Sequence, residues 1–167
     1  MPELKVGDTF PEGVSFSYIP VTPETAEVTS CGIPTKFDAS AQFKDKKIVL
    51  VSVPGAFTPT CTGSHIPGYI EKTAELKAKG VDQVVIIAYN DAYVMSAWGK
   101  AHGVKDDFIL FVSDTDVKFS KNYGWLAGER TDRYALVIDH GKITYAAKEK
   151  VLNDTDYTGV NVVLPTL

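Results

Sequence analysis

A chain of 167 residues, 44% hydrophobic and 23% charged, has the size and balance of one domain around one core. A formal charge of −4 with no basic run argues against a nucleic-acid or anionic membrane surface, and no apolar run approaches the roughly 18 residues that cross a bilayer. Two cysteines are too few for a disulfide framework, and no second Cys or His pair joins Cys61 and His65 to complete a structural zinc site.

In chain order, MPELKVGDTFPEG lacks the basic and then apolar pattern of an export signal, so a cytoplasmic protein is expected. Residues 1–45 are rich in Pro, Gly, Ser and Thr and predict loops with short strands, one around 14–18; Cys31 lies there, in TSCGIP. KKIVLVSVPG (46–55) is a β-branched apolar run stopped by Pro54 and Gly55, which suits a strand buried on both faces. From Pro59 the spacing turns helical through Ile66, Ile70, Ala74, Leu76 and Ala78, and Gly80 ends it after Lys77 and Lys79. VDQVVIIAYN (81–90) predicts a second buried strand, with Asn90 or Asp91 capping a helix through AYVMSAWGKAHG. Trp98 on that helix suits either the core or a dimer face.

DFILFVSD (107–114) predicts a third strand, and RYALVIDHGKITYAA predicts two more joined at Asp139, His140, Gly141 and Lys142. VNVVLPTL predicts a short final helix against the grain of its β-branched residues and Pro165. The terminal Pro165, Thr166 and Leu167 lack the basic middle residue of a peroxisomal SKL-type address, which makes the peroxisome the lesser alternative. With no linker, repeat or low-complexity tract, residues 1–167 are expected to form a single α/β domain. A central mixed β-sheet would be flanked by helices on both faces, with chemistry at the carboxyl ends of its central strands.

Cys61 lies just past such an end. Pro59 fits the first turn of a helix, so the amides of Thr60 and Cys61 precede the first helical hydrogen bond and, with the helix dipole, favour a thiolate. Pro67 should kink the helix and free a carbonyl near Gly63, giving a segment that unwinds cheaply. A free cysteine is often only a small buried hydrophobe. Here Thr58 and Thr60 flank it instead of aliphatic residues, which favours a reactive centre.

PGAFTPTC (54–61), followed by HIPGYI, resembles the P-x-x-x-T-x-x-C peroxidatic motif of peroxiredoxins, in particular the type II, peroxiredoxin V-like branch. The likeness runs over residues 49–143 through ELKAKGVDQVVIIAYNDAYVMSAWGKAHG to RYALVIDHGKI, and TSCGIP is similar to fungal alkyl hydroperoxide reductases. The resemblance implies a thioredoxin-like fold, no cofactor, and a thiol-dependent peroxidase for hydrogen peroxide and alkyl hydroperoxides. It casts Cys61 as the peroxidatic nucleophile, Thr58 as the hydroxyl bonding sulfur and peroxide, and Pro54 as the shield of the pocket. Arg133, directly before YALVID, is cast as the distant arginine in place of Arg130. His65 and Glu71 stay outside this set, because a helix-surface His or Glu usually serves packing or solubility.

The resemblance also makes Cys31 the resolving cysteine, bridging across a homodimer, and thioredoxin the reductant. The sequence by itself leaves open a bridge within one chain, or an external thiol with Cys31 a bystander. A thioredoxin-type reductase is disfavoured because Thr62, Gly63 and Ser64 follow Cys61 where C-x-x-C is needed. No flavin, haem or nicotinamide motif is apparent, and in particular no G-x-G-x-x-G follows a strand. A redox-sensing or chaperone-like module that relays a disulfide remains the alternative, with an inert interaction domain behind it.

Thiol acidity cannot carry such a reaction alone. A thiol whose pKa falls from about 8.5 to about 6 gains roughly 30-fold in thiolate at pH 7. With a Brønsted slope of about 0.4–0.5 it loses roughly tenfold in nucleophilicity. Donors that align the peroxide and stabilise its leaving oxygen must supply most of the rate.

Overall fold

The structure is a computed structural model and describes residues 3–167. Each long β-branched run of the sequence becomes an inner strand, because such side chains fill both faces of a covered sheet. Strands β1 (Ser15–Tyr18) and β2 (Thr35–Asp38) precede a short helix α1 (Ala39–Gln42) and the central β3 (Lys47–Ser52). Helices α2 (Ile66–Glu71) and α3 (Thr73–Ala78) lead to β4 (Gln83–Ala88), α4 (Ala92–Ala101) and β5 (Ile109–Ser113). A short α5 (Lys118–Asn122) and a two-residue ribbon, β6 (Leu126–Ala127) with β7 (Arg130–Thr131), precede the hairpin β8 (Tyr134–Asp139) and β9 (Lys142–Lys148); α6 (Val160–Val163) ends the series.

Seven strands form one mixed sheet in the order β2-β1-β5-β4-β3-β8-β9. β3, β4 and β5 run parallel, with Leu50 opposite Val85 and Val85 opposite Leu110, and β8 pairs antiparallel with β3 through Leu50 and Leu136. Alternation along β3 divides the core. Val49 and Val51 pack toward Ile66, Leu76, Met95, Trp98 and Val163, whereas Ile48 and Leu50 pack toward Phe43, Phe119 and Trp125. Both faces are therefore covered. Trp98 is buried in the first of these clusters, so its side chain serves the core.

The β8–β9 turn places His140 (φ 49°) and Gly141 (φ 83°) in the left-handed region, as a two-residue turn matched to strand twist requires. Asp91 Oδ1 accepts from the Val94 amide and so caps α4. The helix expected from Pro59 to Gly80 is instead interrupted twice. A π-helical turn occupies Cys61–His65, and Lys72 leaves helical geometry between α2 and α3. No helix among the described residues is long and apolar enough to cross a membrane.

Candidate active site

The carboxyl end of β3 is tied to the loop that follows β7. Ser52 Oγ donates to the Asp132 carbonyl at 2.8 Å and Thr131 Oγ1 donates to the Val53 carbonyl at 2.6 Å. These bonds bring Arg133 over the segment after β3. There Phe57 takes φ 61°, a conformation that costs a non-glycine residue about 1 kcal/mol or more. It is held on either side, since the Ala56 amide donates to Asn90 Oδ1 (2.8 Å) and Thr58 Oγ1 donates to the Gly55 carbonyl (2.7 Å).

Helical geometry starts at Pro59, and the Thr62 amide donates to the Thr58 carbonyl at 2.9 Å. Past Cys61 the helix widens: the Ile66 amide reaches back to the Cys61 carbonyl, one residue further than in an α-helix. Pro67 has no amide hydrogen for the Gly63 carbonyl, which an α-helix would require, so the expected kink takes the form of a π turn. Trp98 Nε1 donates to Thr62 Oγ1 at 3.0 Å and holds this turn against α4.

Cys61 is 1% exposed, and Arg133 Nη2 donates to its sulfur at 3.3 Å. Arg133 is itself 1% exposed; its Nε donates to the Leu152 carbonyl at 2.7 Å, and its Nη1 lies 2.8 Å from His65 Nδ1. A guanidinium only donates, so His65 Nδ1 must accept and the imidazole proton sits on Nε2, which donates to the Thr158 carbonyl at 3.1 Å. Burial first and the Arg133 charge second push the His65 pKa down from 6.5 to about 4, so the ring is neutral near pH 7.

His65 is the participant that the sequence pattern did not single out. Its i, i+4 spacing from Cys61 placed it on the same helical face, but the chain that buries it, around Thr158, is remote in sequence. Glu71, also left out, is exposed. Pro54, Thr58, Arg130, Arg133, Leu152 and Asn153 line a cleft of about 360 Å³ over this site. The Thr58 hydroxyl donates to the Gly55 carbonyl at 2.7 Å, and the sulfur accepts its hydrogen bond from Arg133. Arg130 is exposed, with its guanidinium 5.2 Å from the centre of the Tyr89 ring.

Cys31 is exposed and not joined to Cys61; both are free thiols. Its loop is fastened to α4 by Lys100 Nζ, which donates to the Ser30 carbonyl at 2.7 Å.

A buried thiol held under a guanidinium, where a central strand passes into a helix, defines a thiol-based redox protein. Residues 5–162 match the Redoxin family. The chain is 59% identical to "Peroxiredoxin Pen c 3" of Penicillium citrinum across 98% of its length and 99% of the relative's. It is 50% identical to "Peroxiredoxin AHP1" of Chaetomium thermophilum, covering 100% of this chain and 96% of the other. Reduced Prx3 of Vibrio vulnificus, solved in complex with hydrogen peroxide, superposes with a TM-score of 0.81 at 36% identity over 97% of this chain and 98% of that one. The chain belongs to the redoxin family and is a peroxiredoxin, a thiol-dependent peroxidase on a thioredoxin-like fold.

Proposed function

We propose that this peroxidase reduces hydrogen peroxide and alkyl hydroperoxides at Cys61. The thiolate attacks the terminal peroxide oxygen, an S–O bond forms as the O–O bond breaks, and the second oxygen departs as water or alcohol after taking a proton from solvent. Cys61 is left as a sulfenic acid. The observation that carries this reading is the 3.3 Å contact between Arg133 Nη2 and Sγ, made with both side chains buried. Between two buried side chains, a charge-assisted donor is worth far more than at the surface.

Thr58 plays a modified part. With its hydrogen committed to Gly55, Oγ1 offers only lone pairs and so accepts the peroxide O–H, turning the oxidant end-on toward sulfur. Pro54 walls the cleft without adding a donor that would compete for the peroxide.

The sulfenic acid is then resolved by Cys31, from the second subunit of a homodimer, and the disulfide is reduced by a thioredoxin-type dithiol protein in the cytoplasm. Exposure of Cys31 supports access by another chain. A disulfide needs Cα atoms about 4.4–6.8 Å apart, so buried Cys61 must first swing out as the π turn opens. Treatment with substoichiometric peroxide, followed by mass analysis and non-reducing electrophoresis, is expected to give a Cys61–Cys31 bridge between chains. A monomer with no free thiols would move the bridge within one chain. Retention of the Cys61 thiol would overturn the whole assignment.

A further inference from the structure

The polar chain that ends at the sulfur starts well outside the cleft. Glu149 follows β9 and is 4% exposed. Its Oε1 accepts three hydrogen bonds from the neighbouring loop: from the amides of Tyr157 (2.8 Å) and Thr158 (2.7 Å) and from the Thr158 hydroxyl (2.8 Å). Its Oε2 is buried and has no hydrogen-bond partner among the described residues. A carboxyl group placed this way sacrifices hydration on one oxygen, which a need for packing alone does not explain.

What the other oxygen secures is the direction of one peptide carbonyl. Thr158 is held at both its amide and its hydroxyl, and its carbonyl is aimed at His65 Nε2 (3.1 Å) and the Tyr69 hydroxyl (2.5 Å). The backbone reinforces this: the Glu149 amide donates to the Arg133 carbonyl at 2.9 Å, and Arg133 Nε donates to the Leu152 carbonyl. Residues 149–158 thus form a strap around the guanidinium, anchored at one end by Glu149.

We propose that Glu149 is a positioning residue of the peroxidase, which fixes the His65 tautomer through the Thr158 carbonyl and thereby holds Arg133 Nη2 against the Cys61 sulfur. The two tautomers of a neutral imidazole lie close in energy, so the partner of one nitrogen decides which is present. With the Thr158 carbonyl in place, the proton stays on Nε2 and Nδ1 presents a lone pair to Arg133. With that carbonyl turned away, the proton can move to Nδ1 and face a guanidinium N–H, and the guanidinium loses its lateral anchor. Glu149 itself touches neither sulfur nor peroxide.

This inference rests on the reading of Cys61 as nucleophile, and the test separates the two. In the full-length protein, wild type, Cys61→Ser, Glu149→Ala, Glu149→Gln and Thr158→Val are compared by stopped-flow hydrogen peroxide reduction, by thermal unfolding and by ¹⁵N imidazole shifts of His65. Glu149→Ala is expected to lower the peroxide rate by about 10- to 100-fold per folded molecule and to move His65 out of the Nε2–H form. Thr158→Val, which removes one of the three donors, moves both readouts the same way by less. Glu149→Gln keeps an oxygen for the three donors and restores most of the rate.

A folded Glu149→Ala protein with wild-type rate and wild-type His65 shifts overturns the inference. Should that variant fail to fold, an unaltered rate and tautomer in Thr158→Val overturns it instead. Loss of thermal stability with both other readouts unchanged would assign Glu149 a purely structural role and overturn it equally. Failure of the underlying reading shows elsewhere, as peroxide reduction that survives in Cys61→Ser.

Discussion

Burying a guanidinium costs several kcal/mol, and the Arg133 site recovers this only by spending each edge of the fork on a separate acceptor: Sγ of Cys61, Nδ1 of His65 and the Leu152 carbonyl. Lysine has one point of charge and cannot meet three acceptors in a plane. Arg133→Lys is therefore expected to lower the second-order peroxide rate by about 100-fold or more in stopped-flow assays. Arg130→Ala, at an exposed side chain stacked on Tyr89, changes it only about twofold to fivefold. Equal effects would remove Arg133 from its assigned role. The His65 ring brings a pH dependence whose sign follows from its depressed pKa of about 4. The unfolded chain, near 6.5, binds the proton more readily, so stability is fully present above pH 6.5 and is lost as pH falls toward 4. Between pH 7 and pH 5 the loss is about 2 kcal/mol, measurable by urea unfolding, and the increment is absent in His65→Gln.

Among the elements, the π turn from Cys61 to His65 matters most for turnover, because the sulfur must leave a closed pocket before it can meet a second thiol. Pro67→Ala returns an amide to the Gly63 carbonyl and tightens the turn toward α geometry. One further hydrogen bond of about 1 kcal/mol to break should slow disulfide formation about fivefold, followed as loss of Cys31 thiol after a pulse of peroxide. The inner strands were legible because Ile48 to Val51, Val84 to Ile87 and Leu136 to Ile138 are unbroken apolar runs that only a covered sheet accommodates. Cys61 stood out from its own surroundings, past the end of a buried strand and behind Pro59, whereas Pro54, Thr58 and Arg133 were placed through resemblance. α5 escaped notice because KFSKN carries little apolar periodicity and its cap is remote: Asp114 accepts from the amides of Phe119 and Ser120 across Asp116 and Val117, both in the left-handed region. The π turn was hidden for a different reason, since its spacing imitates an α-helix until the proline is reached. His65 read as a surface residue because what buries it arrives from the far end of the chain.

Over the whole molecule, three separated segments converge on one site: residues 54–65, residues 130–133 and the strap at 149–158. The strap runs on into α6, whose Val160 and Val163 cover Ile66 and Tyr69 in the same apolar cluster that holds Cys61. Cover and strap are adjacent in sequence but have different physical work. The strap orients a guanidinium through hydrogen bonds, which are directional, whereas α6 excludes water through contacts that tolerate small shifts. Val163→Ala removes two buried methyl groups and leaves a small void, which should cost about 1–3 kcal/mol of stability in urea unfolding. The peroxide rate per folded molecule should stay within about twofold of wild type, because no hydrogen-bond partner of Cys61, Arg133 or His65 has moved. A tenfold loss of rate in a fully folded Val163→Ala protein would show that packing in α6, and not hydrogen bonding along the strap, sets the position of Arg133.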